Sequence, residues 1–176
     1  MTMIRAAGLL LARAWPAGVW GAVVLLAGCR SADPAGTAPP PAAFAVEQVR
    51  FQRSFTRIIP AATPGAADTI ESYVELRDKF GDPIKAMGEF RFELFRYRPA
   101  FPDPRGARFE HDGLQILDLR GIEVNQQHWD SITRSYRLPL RLPQEARSLK
   151  RIVLQVTFSP DPQYRFLDVL VLERGR

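Results

Sequence analysis

His128, Asp130 and Ser131 stand within four consecutive positions and supply the residue types of a triad: a base, a carboxylate to orient it and a hydroxyl nucleophile. Successive side chains on an extended chain point to opposite faces, so His128 and Asp130 share a side while Ser131 turns away. No G-x-S-x-G turn surrounds Ser131, and the segment reads as a loop in which Trp129 packs over the edge of a domain. The second histidine, His111, precedes Asp112. Two imidazoles and two carboxylates meeting in space would suit zinc or iron, although nothing in their spacing requires it. Asp78 and Asp82 flank Lys79-Phe80-Gly81 and offer two carboxylates to calcium, but the remaining ligands are missing and a lysine sits between them. Aspartate that shapes a turn is the commoner use. Arg137, Arg141 and Arg151 fall on the outward registers of two successive strands, with Arg134 and Arg147 close in sequence. If those strands pair as a hairpin, the three make a stripe that can grip carboxylate or phosphate groups of a ligand or partner. The competing reading is a solvated face balanced by Glu and Asp across strands.

The most specific chemistry belongs to Cys29, the single cysteine in 176 residues. One thiol excludes an intramolecular disulfide framework and any multi-cysteine metal site. Arg5 and Arg13 are the only charges before it, and the run from Ala14 to Gly28 carries none. A basic start, an apolar stretch and small residues at its end form an export signal. The stretch is short for a membrane span, which needs about 20 apolar residues, and Pro16 weakens it as a permanent helix.

The ending Leu26-Ala27-Gly28-Cys29 resembles the lipobox of bacterial lipoproteins. That resemblance implies cleavage before Cys29 and acylation of its sulfur and new amino group. Several acyl chains on one residue give stable attachment where a single chain is marginal. By the same resemblance, Arg30 in place of an Asp points to the outer membrane if the cell has two membranes. Residues 1–28 are then a discarded signal. Their loss removes Arg5 and Arg13 and no acid, which leaves 22 basic and 19 acidic residues and a net charge of +3. So small an excess does not predict nucleic-acid binding.

Stepwise along the chain, residues 29–45 follow as the lipidated cysteine and a Pro/Ala-rich tether. Pro39-Pro40-Pro41 and the surrounding Ala, Gly and Thr favour extended, solvated chain with a reach of at most about 50 Å. From residue 46 the hydrophobic pattern changes to period two, the mark of half-buried strands. Tyr136, Leu138, Leu140 and Leu142 alternate with Arg137, Pro139 and Arg141, and Pro139 on the outer register argues an edge or a bulge. Ile70, Val74 and Leu76 share a face; so do Phe90, Phe92 and Leu94; so do Ile152, Leu154, Val156 and Phe158. Val49, Phe51 and Phe55 mark a first strand, and further strands are expected near Leu114–Ile122 and Ala107–His111. Phe166 to Leu172 is apolar on both faces and reads as a central strand, in which Asp168, if buried, needs a partner, expected to be an Arg. Residues 143–150 read as a loop or a single helical turn, and no long stretch behind the signal has helical periodicity.

These elements predict an all-β domain over residues 46–176: one antiparallel β-sandwich of seven or eight strands, with a small β-barrel as the alternative. The segment from Tyr73 to Lys85 is similar to the strand–turn–strand of immunoglobulin-like and transthyretin-like sandwiches, which implies the topology and no activity. The expected function is that of a membrane-anchored envelope lipoprotein, a non-enzymatic binding or structural module without a cofactor. Its partners would be the membrane, through the acyl anchor, and an envelope protein or polymer. The rival expectation is a small envelope hydrolase or metal-dependent enzyme using His111, His128, Asp130 and Ser131.

Overall fold

A computed structural model describes residues 45–63, 66–99 and 101–175. The export signal, Cys29, Arg30 and the tether as far as residue 44 lie outside the described residues. In chain order the strands are β1 (Gln48–Phe51), β2 (Arg57–Ile59), β3 (Thr69–Arg77), β4 (Pro83–Ile84), β5 (Glu89–Tyr97), β6 (Arg105–Arg108), β7 (Leu114–Asp118), β8 (Trp129–Asp130), β9 (Ser135–Arg141), β10 (Arg151–Ser159) and β11 (Phe166–Glu173). Eight of them have four or more residues; the short β2, β4 and β8 carry too little alternation to be seen in the sequence. Among the described residues one helix, α1 (Ile122–His128), leads into β8, and a 3₁₀ turn at Gln144–Ala146 breaks the 143–150 connection.

The strands form two antiparallel sheets. In sheet I, β3 is central, with β1 and β2 on one side and β9 and β4 on the other; β8 pairs with the start of β9. In sheet II the order runs β11, β10, β5, with β7 and β6 both on the far side of β5. The period-two faces turn inward as their apolar residues require. Ile70, Val74 and Leu76 of sheet I meet Phe90, Phe92, Leu94, Ile152, Leu154, Val156 and Phe158 of sheet II in one fully buried core. Every residue of that core lies between Val46 and Leu172. The strand–turn–strand expected at residues 73–85 is present, with Leu76 opposite Ile84.

The sheets are not closed into a barrel: among the described residues no backbone ladder crosses either seam. Side chains close both seams instead. On one side, the Asp168 carboxylate of β11 accepts the Phe51 N–H of β1 at 2.8 Å and the Val169 N–H at 2.8 Å. On the other, the Gln115 amide of β7 accepts the Arg141 N–H of β9 at 2.8 Å and donates to the Arg141 carbonyl at 2.9 Å. One amide thus does what a neighbouring strand would do for an edge residue. Pro139, two positions before Arg141 on this edge, has no N–H to leave open.

Three expectations need correcting. The strand β11 is an edge strand, not a central one, and Leu167 on it is 53% exposed. Asp168 binds backbone N–H groups, not an arginine. Phe55 is not in the first strand; its N–H closes a turn on the Gln52 carbonyl at 3.1 Å, and its ring, 48% exposed, lies against Tyr73.

An ion pair also ties the sheets, between Asp68 and Arg174. Asp68, just before β3, accepts Arg174 Nη1 at 2.8 Å and the Ala61 N–H at 3.0 Å, and those two bonds hold its carboxyl below the usual carboxylate range. The Arg105 side chain, and then its N–H, hold the Asp103 carboxyl down to about 2. Carboxyls depressed in the folded state stabilise it above the ordinary carboxylate pKa, and that contribution disappears as pH falls through the folded values. The urea midpoint should therefore be level at neutral pH and drop as pH falls from about 4 towards about 2. Asp68→Asn should lower the neutral midpoint and flatten part of the drop; a midpoint that rises over that interval would contradict the assignment.

Candidate functional site

The outer face of sheet I carries a groove of about 590 Å³ between β2, β3, β9 and the end of α1. Cross-strand register builds it. Arg57 of β2 stands opposite Glu71 of β3, Glu71 stands opposite Pro139 of β9, and Arg137 stands opposite Tyr73. Ile59, Thr69, Ile70 and Pro139 line it along the strands, and Gln127 and His128 close one side.

Glu71 is the charge at its centre. Its carboxylate accepts Arg57 Nη2 at 3.4 Å and pairs closely with the Arg137 guanidinium, whose proton that hydrogen bond holds more tightly than usual. Two guanidinium groups share one carboxylate, so the groove has one positive charge in surplus. Both arginines keep most of their surface in water, where an acidic group can reach them. His128 Nδ1 lies 3.1 Å from the Arg137 carbonyl. A carbonyl only accepts, so Nδ1 carries a proton there, and in the neutral tautomer that leaves Nε2 as an acceptor. The groove is therefore equipped to bind an anionic group beside a hydrogen-bond acceptor.

The helix that brings His128 here is held by a buried polar network. Asn125, the only buried residue of α1, donates to the Ala86 carbonyl at 2.9 Å and to the Leu119 carbonyl at 3.0 Å. The Tyr136 hydroxyl accepts the Ala86 N–H at 3.0 Å, and its single proton is placed between the Ala86 carbonyl and the Asn125 side-chain oxygen. Burial pushes the Tyr136 hydroxyl pKa up, against the pull of those partners. Trp129 stands edge-on to the Tyr136 ring at 5.1 Å, and it lies in β8 at the end of α1, where a loop was expected.

The remaining candidates are placed apart or are used locally. His111 is exposed in the loop after β6, with Nδ1 3.6 Å from the Glu145 carboxylate. The Asp130 carboxylate accepts the N–H groups of Thr133 and Ile132, which lower its pKa; it organises its own turn, and Ser131 is exposed in that turn. The Asp78 carboxylate likewise accepts the N–H groups of Phe80 and Asp82. Among the described residues no three His, Cys, Asp or Glu side chains gather as metal ligands would. The hairpin that would align Arg137, Arg141 and Arg151 does not form, because β9 and β10 belong to different sheets. Arg137 and Arg141 share the outer face of sheet I, whereas Arg151 pairs with Glu173 at 2.7 Å and lies over the Tyr97 ring. Arg57 and Gln127 were not singled out by the sequence. The one available signal was Glu71 on an outward register, where a charge calls for a cross-strand partner.

Comparisons with protein-family models, with curated proteins and with solved structures find no match to this chain.

Proposed function

We propose that the chain is an exported, lipid-anchored protein of the cell envelope whose β-sandwich is a non-enzymatic interaction module. The observation that carries this reading is Leu26-Ala27-Gly28-Cys29 at the end of an uncharged apolar run, with Cys29 the only thiol in the chain. Acylation of Cys29 fixes the domain to a membrane, the outer one in a two-membrane bacterium given Arg30. Anchoring raises the concentration of the domain around partners at that surface. The groove on sheet I supplies the contact: the guanidinium that Glu71 leaves over takes an acidic group of an envelope protein or polymer. Asp130 is spent on the N–H groups of its own turn, and His128 Nδ1 meets a backbone carbonyl in place of the carboxylate that a triad would set there. The function needs no cofactor and no nucleic acid.

Cys29→Ser tests the anchor. After a salt wash that strips peripheral contacts, the parent chain should remain in the membrane fraction and carry acyl groups by mass spectrometry, while the variant should be released. A variant retained as well as the parent, or an intact precursor with a free thiol in the cytosol, overturns the reading.

A further inference from the structure

We infer that the end of the sandwich at which the chain enters docks on an anionic bilayer surface through two apolar turn tips, Phe80 and Ile132. The two turns are built alike. In the first, Asp78 Oδ1 accepts the Phe80 N–H at 2.9 Å, and Gly81, at φ +86°, lets the chain reverse. In the second, Asp130 Oδ1 accepts the Ile132 N–H at 2.8 Å, and Arg134, at φ +53°, closes the turn. Each aspartate fixes the residue two positions on, and in both turns that residue is large and apolar. Phe80 is 66% exposed and Ile132 is 92% exposed. Turn tips are ordinarily polar, so apolar side chains held outward on braced backbone mark a contact surface. The turns are neighbours: Arg134 Nη2 donates to the Pro83 carbonyl at 3.4 Å.

The surroundings select the occupant. Lys79, Lys85 and Arg134 are exposed around the tips, and Lys79 Nζ lies 5.0 Å from the centre of the Phe80 ring. Asp78 and Asp130 are turned onto backbone N–H groups, which leaves Asp82 as the exposed acid of these turns. Two separate apolar points set among cations suit headgroup phosphates with acyl chains beneath them better than they suit the continuous face of a protein. The path of the chain agrees. The Glu47 N–H donates to the Arg77 carbonyl at 2.8 Å, so the chain enters beside the first turn. Residues 30–46 separate Glu47 from Cys29, at most about 50 Å of extended chain. The orientation on the membrane rests on the anchoring reading; the affinity for lipid does not.

The test uses residues 46–176 without the anchor, since the whole core lies within them. This domain should sediment with vesicles of phosphatidylglycerol and phosphatidylcholine and much less with phosphatidylcholine alone. Phe80→Ser with Ile132→Ser, both at exposed positions, should lower the partition about tenfold or more with an unchanged circular dichroism spectrum. Lys79→Gln with Lys85→Gln should abolish the preference for the anionic vesicles. Absence of binding, equal binding to both vesicle types, or parental binding by the serine variant overturns the inference. So does a lipid-free dimer that the serine substitutions dissolve, because the occupant would then be a second copy. Loss of vesicle binding with Cys29-dependent membrane retention intact refutes the docking alone; the reverse result refutes the anchor alone.

Discussion

Tyr136→Ala is expected to destabilise the domain by about 3–5 kcal/mol, measured by urea unfolding. The side chain is fully buried, with the Phe90 ring 5.3 Å away on one side and Trp129 on the other. Removing it opens a cavity at the point where sheet I, sheet II and α1 meet. Tyr136→Phe separates packing from hydrogen bonding. It keeps the ring and leaves the Ala86 N–H without its acceptor, for a cost of about 1–3 kcal/mol. Because Asn125 binds the same Ala86 and hydroxyl group, hydrogen exchange should quicken across residues 122–128 in the Phe variant. A Phe variant as stable as the parent would mean that the polar network contributes nothing to stability.

Asp168→Val should produce two effects. The Phe51 N–H loses its acceptor across the seam, which costs about 1–3 kcal/mol. The edge strand β11 also becomes an unbroken apolar run from Phe166 to Leu172, with no charge to oppose pairing with another chain. Concentration-dependent aggregation during refolding, absent in the parent, is the expected sign. Asp168→Asn keeps the size and one acceptor oxygen and should fall between the two. A Val variant that refolds reversibly at parental stability would show that Asp168 neither closes the seam nor guards the edge.

Much of the sandwich was legible because its interior is apolar at every second residue. Ile70 to Leu76, Phe90 to Leu94 and Ile152 to Phe158 have their inward faces written in the chain, and all are buried as read. The helix α1 was not legible. Its exposed Ile122 and Val124 and its buried Asn125 reverse the usual amphipathic order, and the partners of Asn125 come from Ala86 and Leu119. The strand β11 misled because two apolar faces ordinarily mean a strand with neighbours on both sides. Here the second neighbour is β1 of the other sheet, joined by a side chain and not by a ladder. The candidate site suffered from the same ambiguity. Outward registers located Arg137 and Arg141 on one face, but the 143–150 connection crosses between sheets, and no local pattern reports which sheet the next strand joins. The pairing of Arg57 with Glu71 depends on β2, three residues long and silent in the sequence.

The two seam closures carry a consequence for the chemistry of the surroundings. Sandwich layers can be pinned by sulfur–sulfur bonds, which tie correct assembly to an oxidising environment and to enzymes that install them. Here Gln115 and Asp168 do the pinning with an amide and a carboxylate, and residues 46–176 hold no cysteine at all. Thiol reductants and shifts in thiol poise therefore find no disulfide or thiol to act on in residues 46–176, and the sole thiol of the chain is left for a different use.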